Sequence, residues 1–177
     1  MLAGVAGLVV LNHSTRIARA MDFSPNAPII CNMRIVLDTG ALVSALHSDQ
    51  GASRRLLTAA LERRLTLLLS LPLMLEYEAV LTEKLAWEPC ETSSFLDDLA
   101  SVADPVELSF IWRPHLKDPA GETVLETAIF GRADLLVTHN FEEFAPLQAE
   151  FRITVARPGV ALHALAMGER KTRRMTS

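Results

Sequence analysis

"MRIVLDTGALVSAL" (Met33–Leu46) decides how the rest of the chain is read. Arg34–Asp38 holds Ile35, Val36 and Leu37 in an unbroken apolar run, the pattern of a strand buried on both faces. The run stops at Asp38. After Thr39 and Gly40 apolar residues resume at once, so Ala41–Leu46 reads as a short helix. A carboxylate at the mouth of a buried strand is costly to desolvate unless something engages it. Thr39 is as good a helix cap as Asp38, which would leave the Asp38 carboxylate free for another task.

Strand and helix alternate from there onward. In Gly51–Arg64, "GASRRLLTAALERR", apolar residues fall at Leu56, Leu57, Ala60 and Leu61, which is helical spacing. "LTLLLS" (residues 65–70) is a second buried strand. Ser70 caps a helix with Pro72 in its first turn, running to about Leu85. Glu91–Ala103 is an amphipathic helix, and "VELSFIW" (residues 106–112) a third strand or extended segment. Asp118-Pro119 opens a helix to about Phe130. "DLLVT" (134–138) and "FRITV" (151–155) are the remaining strands, and "PGVALHALA" (158–166) a closing helix. The alternation predicts an α/β fold with a mostly parallel central sheet flanked by helices.

The 177 residues suit one domain, and 50% hydrophobic with 21% charged residues is a globular composition. A net charge of −4 lacks the basic footprint of a passive nucleic-acid binder. Cys31 and Cys90 have no C-x-x-C spacing, and His13, His47, His115, His139 and His163 have no ligand spacing, so no zinc site is read. "MLAGVAGLVVL" at the start is too short to span a bilayer and lacks the positive flank of a secretory signal. Residues 1–32 are expected to be an extension outside the fold, disordered or an over-called start, with Met33 the true one. The basic stretch "GERKTRRMTS" (168–177) is expected to fray.

Two chemistries use an Asp in this setting. "LDTGA" and "IFGRADLL" (Ile129–Leu136) resemble aspartic-protease signatures, but those enzymes are all-β and rich in glycine turns. No glycine occurs here between Ala52 and Ala120, and those residues carry helical periodicity. The other chemistry is metal-dependent phosphodiester cleavage. Magnesium and manganese prefer hard oxygen ligands, and carboxylates at the carboxyl ends of parallel strands converge on one crevice. Four positions qualify: Asp38 at the end of the first strand; Glu76 on a partly apolar helix face with Leu73, Ala79 and Val80; Glu122 in the first turn after Asp118-Pro119; and Asn140 directly after "LLVT". Each also has a structural reading. Asp118 before Pro119 fits an N-cap, Glu122 complements a helix dipole, and Asn140 with Glu143 fits a capping box.

Together "VLDTGALVSAL", "LPLMLEYEAVL" and "LKDPAGETVLETAIFGRADLLVTHNFEEF" resemble the PIN domain, and more narrowly the VapC-like toxins of toxin–antitoxin systems, over about Met33 to Ala166. The resemblance implies a three-layer PIN-like nuclease domain over residues 33–167. It would be a cytoplasmic endoribonuclease that hydrolyses single-stranded RNA with magnesium or manganese. It implies Asp38, Glu76, Glu122 and Asn140 as the catalytic set and Asp38, Glu76, Glu122 and Asp118 as the metal-facing one, with Asp134 set further from the metal. It also implies a homodimer, a cognate antitoxin and no membrane partner. Two departures stand out: Gly40 where the family usually has Asn or Ser, and "DPAGE" where a more acidic loop is usual. They support an alternative, a degenerate PIN module that binds RNA or a protein without cutting. Arg54, Arg55, Arg63 and Arg64, with Lys171, Arg173 and Arg174, are read either as contacts to an RNA backbone or as a solvated charged face.

Overall fold

The computed structural model describes residues 33–109 and 119–175. Its strands are β1 (Arg34–Leu37), β2 (Thr66–Ser70), β3 (Asp104–Val106), β4 (Leu135–Val137) and β5 (Val155–Ala156). Its helices are α1 (Thr39–His47), α2 (Ala52–Leu61), α3 (Leu71–Glu83), α4 (Pro89–Val102), α5 (Pro119–Phe130), α6 (Phe141–Phe144), α7 (Leu147–Phe151) and α8 (Pro158–Met175). The strands form one sheet in the order β3-β2-β1-β4-β5, and every pairing is parallel. The architecture is the α/β class expected, and an all-β protease fold is excluded.

Parallel strands covered on both faces must be apolar throughout. Ile35, Val36, Leu68, Leu136 and Val137 are all wholly buried, and together with Leu56, Leu57, Leu99 and Val124 from the helices they make a continuous core. Helix α2 packs on α1 and α8, and α3 packs on α4, α1 and α5. Ser70 caps α3 as read from the sequence, its Oγ accepting from the Leu73 N–H at 3.3 Å. No helix among the described residues is long and apolar enough to cross a membrane.

The amino edge of the sheet is tied by Arg34. Its backbone N–H donates to the Asp134 carboxylate at 2.8 Å, and its guanidinium reaches Asp104 at 2.9 Å and the Gly131 carbonyl. Asp134 therefore stands at the opposite end of β4 from the carboxyl edge. Gly131, which closes α5, sits so tightly that an added Cβ would lie 2.7 Å from the Thr127 carbonyl oxygen, 2.8 Å from Leu68 Cδ1 and 2.9 Å from Val106 Cγ2. Gly131→Ala is expected to lower stability by about 1–3 kcal/mol, read from the urea midpoint.

The structure departs from the sequence reading in four places. Helix α1 begins at Thr39, so Thr39 is inside the helix and Asp38 occupies the cap position. The third strand is Asp104–Val106, with Phe110–Trp112 outside the described residues. Pro105 is accepted there because β3 is an edge strand, where a missing N–H loses no ladder bond. In "FRITV" only Val155 pairs. Phe151 ends α7, and Arg152 closes it in the left-handed region at φ 55°, so the alternation of Phe151, Ile153 and Val155 is not a continuous strand. Finally α8 continues to Met175, so most of the stretch expected to fray is helical, with Glu169 anchored to Arg64 at 2.8 Å.

Candidate active site

In an open parallel sheet, the crevice lies at the carboxyl ends of the strands, where neighbouring connections leave in opposite directions. From β1 the chain goes next to β2 on one side, whereas β4 pairs on the other, so this point falls between β1 and β4. Asp38 follows β1 and Thr138 follows β4, and the two meet there. The Asp38 N–H donates to the Val137 carbonyl at 2.9 Å, and the Thr138 hydroxyl donates to Asp38 Oδ2 at 2.6 Å. Thr138 is wholly buried and its Oγ also accepts from the Asn140 N–H at 2.9 Å. One hydroxyl thus sets both the Asp38 carboxylate and the turn that presents Asn140.

Asp38 takes the N-cap backbone position of α1, yet its side chain makes no capping hydrogen bond. Among the described residues, Oδ1 accepts no hydrogen bond, which leaves that oxygen for a ligand. Thr39, read from the sequence as an equally good cap, donates its hydroxyl to Glu76 Oε1 and so draws the α3 carboxylate against the first turn of α1. Tyr77, next in the chain and wholly buried, donates its hydroxyl to the Leu37 carbonyl. Burial holds the Tyr77 hydroxyl's pKa well above its usual range, and the negative charges of Asp38 and Glu76 push it in the same direction.

These groups border a cleft of about 310 Å³ lined by Asp38, Thr39, Gly40, Glu76, Lys84, Ala120, Gly121, Asn140 and Glu143, with Val43, Val80 and Phe144 as its apolar wall. Three of the sequence-derived positions, Asp38, Glu76 and Asn140, come together here. Glu122 is half-buried on the first turn of α5, and the residues that α5 gives to the cleft are Ala120 and Gly121. Glu122 follows them directly in the chain but is not among the residues that line the cleft. Asp118 lies outside the described residues. Gly40 is exposed, and a Cβ there would meet Asp38 Oδ2 at an ordinary 3.4 Å, so glycine leaves room beside the carboxylate rather than answering a backbone need.

Two cleft residues were missed as site candidates. Glu143 reads from the sequence as a cap partner, and the Asn140 Nδ2 does donate to its Oε2, but the carboxylate also borders the cleft. The signal was its position three residues after Asn140, one helical turn on and therefore on the same side. Lys84, the C-cap of α3, brings a cation to an otherwise acidic rim. Its only signal was its spacing of eight residues from Glu76 on one helix.

The donors suit a hard divalent cation: the free Asp38 oxygen, the Glu76 and Glu143 carboxylates and the Asn140 amide. Among the described residues no three Asp, Glu, His or Cys side chains are grouped to hold a metal ion. With only one or two carboxylates as ligands, a magnesium ion here would take most of its coordination from water.

A comparison with curated proteins finds no match. A family model described as PIN domain matches residues 34–142, from the first residue of β1 into α6, and so takes in every cleft-lining residue except Glu143 and Phe144. With its parallel sheet and acidic crevice at the β1/β4 junction, the chain belongs to the PIN domain family, a nuclease superfamily whose members generally use divalent metals.

Proposed function

We propose that the chain is a magnesium- or manganese-dependent endoribonuclease that hydrolyses phosphodiester bonds of single-stranded RNA in this cleft. The observation that carries the reading is Asp38 itself: a carboxylate held by Thr138 at the β1/β4 junction, with one oxygen uncommitted and Glu76 drawn in by Thr39. Asp38 and Glu76 would hold the cation, directly or through water; the family resemblance adds Glu122, beside the cleft, and Asp118, outside the described residues, as further candidates. When bound, the cation supplies water activation and charge neutralisation at phosphorus. Asn140 orients the phosphate, and the apolar wall of Val43, Val80 and Phe144 limits water on that side. A toxin of the VapC-like kind, dimeric and restrained by a cognate antitoxin that occupies the acidic groove, is the finer form of the same proposal.

The rival is a PIN module that binds RNA or a protein without cutting. It is favoured by the position of Glu122 beside the cleft and by the lack of a three-acid cluster among the described residues. Calorimetric titration with magnesium separates the two. The nuclease reading expects binding at about millimolar affinity, lost in Asp38→Asn. A folded protein with no magnesium affinity would favour the rival.

A further inference from the structure

Seven basic residues are candidates for an RNA backbone from the sequence alone, and the fold sorts five of them, Arg54, Arg55, Arg63, Arg64 and Lys171. Arg63 and Arg64 lie past the end of α2 and are committed internally: Arg63 donates to the Ser101 carbonyl at 2.7 Å, and Arg64 pairs with Glu62 at 3.2 Å and Glu169 at 2.8 Å. Arg64 precedes β2, so it marks the amino edge of the sheet. Because α8 leaves β5 at the carboxyl edge and reaches Arg64 through Glu169, Lys171 is carried to the amino edge, away from the cleft. Arg54 and Arg55 are different. Among the described residues neither guanidinium has a hydrogen-bond or ion-pair partner, and Arg55 is exposed. Asp49, in the preceding turn, pairs with neither.

Their place is set by a contact that crosses the fold. Ser53, 3% exposed in the first turn of α2, lies 3.1 Å through its Oγ from His139 Nε2. His139 stands between Thr138, which holds Asp38, and Asn140, which lines the cleft. The first turn of α2 is thereby joined to the residue next to cleft-lining Asn140, with Arg54 and Arg55 following Ser53 in sequence. That helix end has no acidic residue in its first turn and no side-chain cap hydrogen bond, and the nearest acidic residue before it in sequence is Asp49.

Building on the nuclease reading, we infer that Arg54, Arg55 and His139 form a shelf that holds the RNA backbone beside the bond to be cut. An acidic cleft repels a polyanion, and the cation neutralises only the phosphate at its centre. A strand lying across the carboxyl edge needs positive charge where it leaves the cleft, and the uncommitted guanidiniums supply it through charge-assisted, sequence-independent contacts. The shelf places the chain's own specificity in backbone geometry, favouring a flexible single strand over any particular base.

The test uses the full chain carrying Asp38→Asn, so that binding is read without cleavage. A labelled single-stranded RNA is titrated with magnesium present over a series of salt concentrations. Adding Arg54→Ala and Arg55→Ala is expected to weaken binding about tenfold and to reduce the salt slope by about 0.7 for each lost phosphate contact. Arg54→Lys with Arg55→Lys is expected to restore most of the affinity. Removing the same two charges at the amino edge, with Arg170→Ala and Lys171→Ala, is expected to leave both quantities unchanged. Equal loss from the two double variants, or no loss from Arg54→Ala with Arg55→Ala, would overturn the shelf while the nuclease reading stands. No RNA binding by any version, with no cleavage by the unsubstituted protein, would overturn both.

Discussion

Asp38→Asn is expected to abolish metal-dependent RNA cleavage, a loss of at least about 10²–10³-fold, while the protein keeps its fold. Asn has nearly the shape of Asp, and its amide oxygen can still accept from Thr138. The side chain makes no capping hydrogen bond that the change would remove. What disappears is the negative charge and the second carboxylate oxygen, the one that accepts no bond among the described residues. The loss of a favourable charge near the start of α1 should lower stability by no more than about 1 kcal/mol. Cleavage rates measured beside urea unfolding separate the two effects. Unchanged cleavage in a folded variant would remove Asp38 from the site.

Tyr77 should give the largest loss of stability among the residues around the cleft. It is wholly buried, and its hydroxyl ties α3 to the Leu37 carbonyl, one residue before Asp38. Tyr77→Ala is expected to cost about 3–5 kcal/mol, as for other large buried aromatics. Tyr77→Phe, which leaves the buried carbonyl unpaired, should cost about 1–3 kcal/mol. Because Tyr77 is flanked by Glu76, both changes should also loosen the Asp38–Glu76 junction and lower magnesium affinity. The hydroxyl has a pH signature. Its folded pKa is raised, so the folded state keeps the proton that the unfolded state releases near 10. Its stabilising contribution is therefore complete below about pH 10 and falls as pH climbs above it toward the folded value. The chain has one tyrosine, so ultraviolet titration of tyrosinate reports this residue alone. Ionisation should coincide with alkaline unfolding in the parent, and the alkaline loss should be smaller in Tyr77→Phe. Tyrosinate appearing near 10 in a still-folded protein would contradict the buried hydroxyl.

The sheet was readable because its inner strands are written in one chemical alphabet. "RIVL", "TLLLS" and "LLV" are short apolar runs between helical patterns, and each became a parallel strand. The two edges were less readable. β3 and β5 are three and two residues long, and their pairing depends on neighbours and not on their own pattern. Around the cleft, Asp38, Glu76 and Asn140 could be singled out because each breaks a local rule: a charge after a buried strand, a carboxylate among apolar neighbours, an amide at a strand's end. Thr138 could be noticed but its job could not be, since a threonine ending a strand carries no sign of the carboxylate it will meet 100 residues away. Glu122 shows the reverse. Its place in the first turn of α5 was legible, but whether that turn shows Ala120 and Gly121 or Glu122 to the cleft is a matter of helix rotation.

The most direct test is to incubate the purified chain with a labelled single-stranded RNA in magnesium, in manganese and in excess chelator, with Asp38→Asn alongside. The account predicts internal cleavage in either metal and none in chelator or in the variant. Cleavage that persists in chelator, or a folded protein that cuts in neither metal, would contradict it.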